Sequence, residues 1–95
     1  MRSASERLGL VNVTLDASTA ELLDVSTRAS AASDRVMALE QEVSSVQAHE
    51  EKQRASVALE TARATLQRLA ARRQLLVKRI REAEVQAAAL ARELK

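Results

Sequence analysis

The only histidine of the chain, His49, stands beside Glu50 and Glu51 in the stretch QAHEEKQRAS, residues 47–56. An imidazole next to carboxylates could ligate a metal or move a proton. A helical metal site needs its ligands at i, i+3 or i+4 on one face, and the residues near enough to His49, Glu42 and Gln53, form no familiar ligand set. General acid–base work needs a cleft that excludes water, and a rod-like helix offers none. There is no glycine-rich phosphate loop and no nucleophile–base pair. The absence of cysteine removes disulfides and thiolate-bound zinc or iron–sulfur clusters. These residues predict no enzyme, no metal and no cofactor. The stretch asks instead why ten residues pass without one large apolar side chain in a chain otherwise striped with them.

The surrounding elements must be helical. The 95 residues hold no Phe, Tyr, Trp or Pro and one Gly, so aromatic core area and ordinary turn residues are both missing. Ala, Leu, Arg, Glu and Gln dominate, which favours helix. With Leu8 at position a of a heptad, the a sites are Leu8, Leu15, Leu22, Ala29, Val36 and Val43. The d sites are Val11, Ser18, Val25, Ala32, Leu39 and Val46. Eleven of these twelve are apolar, a spacing that keeps them on one seam. The same frame next meets Glu50 and Gln53. A second frame then runs through Leu59, Leu66, Arg73, Ile80, Ala87 and Leu94 at a, with Ala62, Leu69, Leu76, Ala83 and Leu90 at d. Leu8 and Leu59 lie 51 residues apart, seven heptads plus two. Two surplus residues turn the seam by about 200° at roughly 100° per residue, more than an ordinary stutter or stammer.

The expected fold is therefore all-α: a long, nearly continuous helix forming a coiled coil. Its parts are a cap or frayed segment at 1–7, an acidic block at 8–46, a polar register break at 47–58 and a basic block at 59–95. Ser3 to Glu6 and Ser18 to Glu21 both fit a capping box, and the phase of Leu8, Val11 and Leu15 carries the helix from near Ser3. The break could open locally, kink, or fold the blocks back as a hairpin. Their similar lengths favour a hairpin. The lack of Gly, Pro, Asn or Asp in QAHEEKQRAS favours a helix that runs through Glu50–Gln53, and that is the expectation. One amphipathic helix would leave its stripe in water, so a partner is implied: a second copy, as a dimer, or another coiled-coil chain. Parallel pairing of Arg35 with Glu40 and of Arg79 with Glu84 would suit a dimer, whereas valines at d do not, and orientation stays open.

Charge is the one functional signal. Net charge is +2, yet residues 1–51 hold four basic and nine acidic side chains, and residues 52–81 hold nine basic and one acidic. Such a segment attracts anionic partners in a salt-dependent way, although charge runs also serve solubility or could pair with the acidic half. Leu66, Leu69, Leu76 and Ile80 run through the basic segment, tying the helices together where a basic-zipper reader would need them free to enter a DNA groove. No aromatic can stack on bases, so nucleic acid is the weaker candidate, limited to phosphate-backbone contact. An interfacial membrane helix would want Trp or Phe on its apolar face, and no apolar run is long enough to span a bilayer. An acidic protein surface fits best. The short apolar runs and the lack of a signal-peptide pattern suit a cytoplasmic or nuclear protein, with a mitochondrial presequence based on Arg2, Arg7 and the serines as the minor alternative.

The aromatic-free heptads and ARATLQRLAARRQLLVKRIR, residues 62–81, resemble the microtubule-binding coiled coil of a kinetoplastid kinetochore protein. That resemblance implies a cytoskeletal or chromosome-segregation role, with Arg63, Arg68, Arg72, Lys78, Arg79 and Arg81 as contacts to tubulin. The competing expectation is a structural rod or assembly subunit whose partner is another helix.

Overall fold

The structure is a computed structural model that describes residues 3–94, so Met1 and Arg2 of the N-terminal segment and Lys95 of the basic block lie outside the described residues. It contains two helices, α1 at Ala4–Ser45 and α2 at His49–Glu93, and no strand among the described residues. The all-α expectation holds. No helix among the described residues is long and apolar enough to cross a membrane.

The helix ends follow from local chemistry. Ser3 caps α1: its Oγ accepts the Glu6 N–H at 3.2 Å, and its carbonyl accepts the Arg7 N–H at 3.0 Å. Of the two candidate N-caps Ser3 is the one used, and Ser18 lies half-buried inside α1. Towards the far end, the Ser44 hydroxyl donates to the Glu40 carbonyl at 3.0 Å and the Ser45 hydroxyl to the Glu42 carbonyl at 3.2 Å. The Val46 N–H also donates to the Glu42 carbonyl, at 3.0 Å. The serine hydroxyls thus bond back to carbonyls three and four residues earlier, the local pattern by which serine competes with the helical ladder. After Val46, Gln47 and Ala48 the chain is helical again, with the Lys52 N–H donating to the Ala48 carbonyl at 2.9 Å. Glu50 and Glu51 occupy the first turn of α2, where carboxylates complement the helix dipole.

The helix therefore does not run through the polar stretch as expected. It stops at Ser45 and restarts at His49, and most of residues 47–58 belongs to α2. The misleading premise was that reversal needs Gly, Pro, Asn or Asp. No described residue has a positive φ, so a three-residue connection in ordinary backbone conformations suffices. The reason to reverse is apolar burial. A continuous helix would present two seams about 200° apart, each needing its own partner, whereas folding back lets one seam cover the other.

The chain divides into two compact units, Val25–Arg72 and the pair Met1–Asp24 with Arg73–Lys95. Within Val25–Arg72 the chain forms an antiparallel hairpin. Val36, Leu39, Leu59 and Ala62 make its buried cluster, with Val43, Ala58 and Leu66 packed against it. Val25 and Ala55 are buried too, and Val46, Ala29, Ala32 and Leu69 are half-buried. The register of that cluster sets Ala32 level with Leu66, four residues on from Val36 and Ala62, so at these two levels a small residue faces a larger one. Ala55 lies one step ahead of Leu59 in the second frame, inside the stretch that looked wholly polar.

Within the other unit, Leu76 is fully buried at 0% exposure, and Ala83 and Leu90 are buried. Leu8, Val11, Leu15, Leu22, Ile80 and Ala87 are half-buried. Arg7 Nη2 and Glu93 Oε2 lie 3.9 Å apart, joining the start of α1 to the end of α2. Both side chains are about half exposed, so solvent screening leaves that pair little weight beside the apolar contacts. Two positions assigned to the seam behave otherwise. Arg73 is exposed, its charge held in water, and Leu94, beyond the end of α2, is 51% exposed. The seam expected between chains is covered in each unit by the other helix of the same chain.

Two outcomes test this packing by thermal or chemical denaturation followed by circular dichroism. Leu76→Ala will destabilise the chain by about 2–5 kcal/mol, the usual range for deleting a fully buried leucine. Gly9→Ala will stabilise it by about 1 kcal/mol, because Gly9 is helical and a Cβ there meets nothing within 4 Å.

Candidate acidic-partner interface

His49 is the first residue of α2 and is exposed. Its neighbours Glu50 and Glu51 sit in the first helical turn, and Glu50 Oε2 lies 3.9 Å from Arg54 Nη2 one turn on. No group of three or more His, Cys, Asp or Glu among the described residues could hold a metal ion. The feature that first suggested chemistry is the start of a helix, with acidic residues where a helix start favours them.

The basic residues do not form one stripe. Within Val25–Arg72, Arg68 and Arg72 stand one turn apart on one flank of α2, and Arg63 stands on the other. Arg63 and Arg68 are exposed, while Arg72 is half-buried and already engaged by a neighbouring group. Arg68 Nη2 donates to Thr65 Oγ1 at 3.4 Å. Within the other unit, Lys78 and Arg81 share one flank, with Arg79 on the opposite one, and all three are exposed. Lys78 Nζ lies 4.0 Å from Glu82 Oε1 on its own helix. Arg63, Arg73, Arg79 and Arg81 make no ion pair among the described residues.

Folding changes the electrostatic picture that sequence order suggests. Val25–Arg72 contains seven basic and six acidic side chains, and the other unit eight and seven. The partition along the chain becomes a partition between helices, α1 mainly acidic and α2 mainly basic. Two ion pairs, Glu50–Arg54 and Lys78–Glu82, lie within α2.

The hairpin also gathers residues that sequence order separates. A surface dent of about 410 Å³ in Val25–Arg72 is lined by Ala32 and Arg35 from α1 and by Ala58, Thr61, Ala62 and Thr65 from α2. Arg35, assigned to the acidic block, thus stands on the same side as Thr65, the residue that holds Arg68. The signal that could have found it is its position g: in antiparallel pairs g residues face g residues of the other helix, so Arg35 belongs beside Ala58 and Thr65 rather than beside a glutamate of a parallel copy.

No protein-family model, curated protein or solved structure matches this chain.

Charge reversal at an arginine that touches nothing should leave the fold alone. Arg63→Glu and Arg81→Glu will each change unfolding stability by no more than about 0.5 kcal/mol, read from denaturant midpoints. A larger loss would place these side chains in the folding contacts rather than on a surface available to a partner.

Proposed function

We propose that this chain is a non-enzymatic helical interaction module whose basic helix, α2, docks on an acidic protein surface. The observation that carries this reading is that Arg63, Arg79 and Arg81 stay exposed and without an ion partner among the described residues, although the fold lays an acidic helix alongside. Held on a packed helix, these guanidiniums are placed before a partner arrives, and less ordering entropy is lost on binding. Their field raises the encounter rate with an acidic partner at low salt. The microtubule, with its acidic tubulin tails, is the concrete candidate, in line with the resemblance of residues 62–81, and the role is then a cytoskeletal or chromosome-segregation scaffold.

A second reading has an observation of its own. Leu10, Val13 and Leu23 of α1 are exposed at 46%, 67% and 72%, and Ala17 and Ala20 lie exposed between them. A face of that kind suits helix-to-helix packing in an assembly subunit. Duplex nucleic acid, held through its phosphates alone, is the third reading.

Microtubule co-sedimentation at two salt concentrations separates these readings. The chain will pellet at low salt and be released by about 0.3 M salt, where screening is strong, and reversing Lys78 and Arg79 together will abolish pelleting. Failure to pellet at low salt, or indifference to charge reversal at Arg72, Lys78 and Arg79, sinks the proposal. Duplex DNA of unrelated sequences, bound with a steep salt slope, would favour the third reading.

A further inference from the structure

The dent of Val25–Arg72 has a floor of alanine methyls and a cationic rim. Ala32, Ala58 and Ala62 supply the floor and Arg35 one side. Thr65 brings in the other side. Its hydroxyl donates to the Thr61 carbonyl at 3.1 Å and accepts from Arg68 Nη2 at 3.4 Å, so the hydroxyl is a bracket that holds the guanidinium. The Thr61 hydroxyl likewise donates to the Val57 carbonyl, at 3.1 Å. Neither threonine keeps a proton for a ligand. The donors that remain are N–H groups of Arg35, which makes no hydrogen bond or ion pair among the described residues, and those of Arg68 not given to Thr65.

An adjoining dent shares Arg35 and Ala58 and is rimmed by Glu42, Glu51 and Arg54. The groove is therefore cationic at the Arg35–Arg68 end and carries two carboxylates at the end nearer the helix connection. A nucleic-acid backbone, charged at every step, would meet Glu42 and Glu51 there. An acidic polypeptide can place one carboxylate at the cationic end and present neutral residues to the rest.

We propose that this dent seats a single carboxylate side chain from an acidic polypeptide segment, its methylenes over Ala32, Ala58 and Ala62 and its oxygens between Arg35 and Arg68. Guanidinium and carboxylate match as planar, charge-assisted partners, and the apolar floor suits the stem of a glutamate. The inference rests on the acidic-surface reading above and adds to it a specific seat, half of which comes from the helix that is mainly acidic.

The test is fluorescence anisotropy of the full chain with a labelled glutamate-rich peptide at low salt, circular dichroism confirming helicity for each variant. Arg35→Glu and Arg68→Glu will each weaken binding by about tenfold or more, whereas reversal of the exposed Arg92 to glutamate, Arg92→Glu, with the same change in net charge, will weaken it by less than about threefold. Ala58→Leu fills the dent without altering charge and will weaken binding by about tenfold. Arg35→Gln, which leaves the helix uncharged at that point, will show the same direction if reversal to glutamate disturbs folding. Equal losses for Arg35→Glu and Arg92→Glu, with Ala58→Leu harmless, overturn the seat and leave diffuse docking on α2 intact. No binding by the wild-type chain overturns both. Displacement of the peptide by duplex DNA, with DNA binding lost in the same Arg35 and Arg68 variants, overturns the carboxylate assignment in favour of phosphate.

Discussion

Each helix of this chain carries one apolar seam, and neither seam can be left in water. That constraint organises the rest. With no aromatic residue to supply buried area in bulk, the burial comes from leucines, valines and alanines, a side chain at a time, at about 0.8 kcal/mol per buried methylene. The contact must therefore be long, and it must keep one phase along each helix. In Val25–Arg72 the cluster of Val36, Leu39, Leu59 and Ala62 does this, with Val43, Ala58 and Leu66 packed against it. In the other unit Leu76 and Leu90 are the deepest residues. No buried polar side chain interrupts either core among the described residues, so reversal of the chain carries no desolvated charge with it.

The same reversal sets the electrostatics. Each unit sets a stretch of the mainly acidic helix beside one of the mainly basic helix, and the Arg7–Glu93, Glu50–Arg54 and Lys78–Glu82 pairs are exposed. The Arg7–Glu93 contact and the pairs within α2 are worth little individually in solvent. Apolar burial dominates the contact within each unit, and Arg63, Arg79 and Arg81 of α2 are left exposed. A side chain not needed for folding is free to meet a partner, and this link between packing and the proposed docking role is the main mechanistic content of the fold.

Much of the seam was legible residue by residue. Leu39, Leu59, Leu76 and Leu90 are buried where their heptad positions put them, because helical periodicity alone sets which side chains share a face. Arg73 holds an a position yet is exposed, since a guanidinium at the margin of a two-helix contact gains more from water than from an apolar groove. Ala55 was passed over because only large side chains were counted, although its phase was right. The candidate site was less legible. The basic residues of α2 could be named from charge runs, but Arg35 could not, because its neighbours depend on the direction in which the second helix returns.

The amino-acid sequence by itself determined that the chain is helical, which face of each helix is apolar, where the phase breaks, and that acidic chain gives way to basic. These are local properties, set by backbone propensity and by a period of 3.6 residues. Tertiary structure decided that the chain turns back at Val46–Ala48, that each seam is covered by its own chain, and that Arg35 joins Thr65 and Arg68 around one dent. The physical reason is that a phase break of this size is compatible with bending, opening or reversal alike. Only the burial gained when the two seams meet chooses among them.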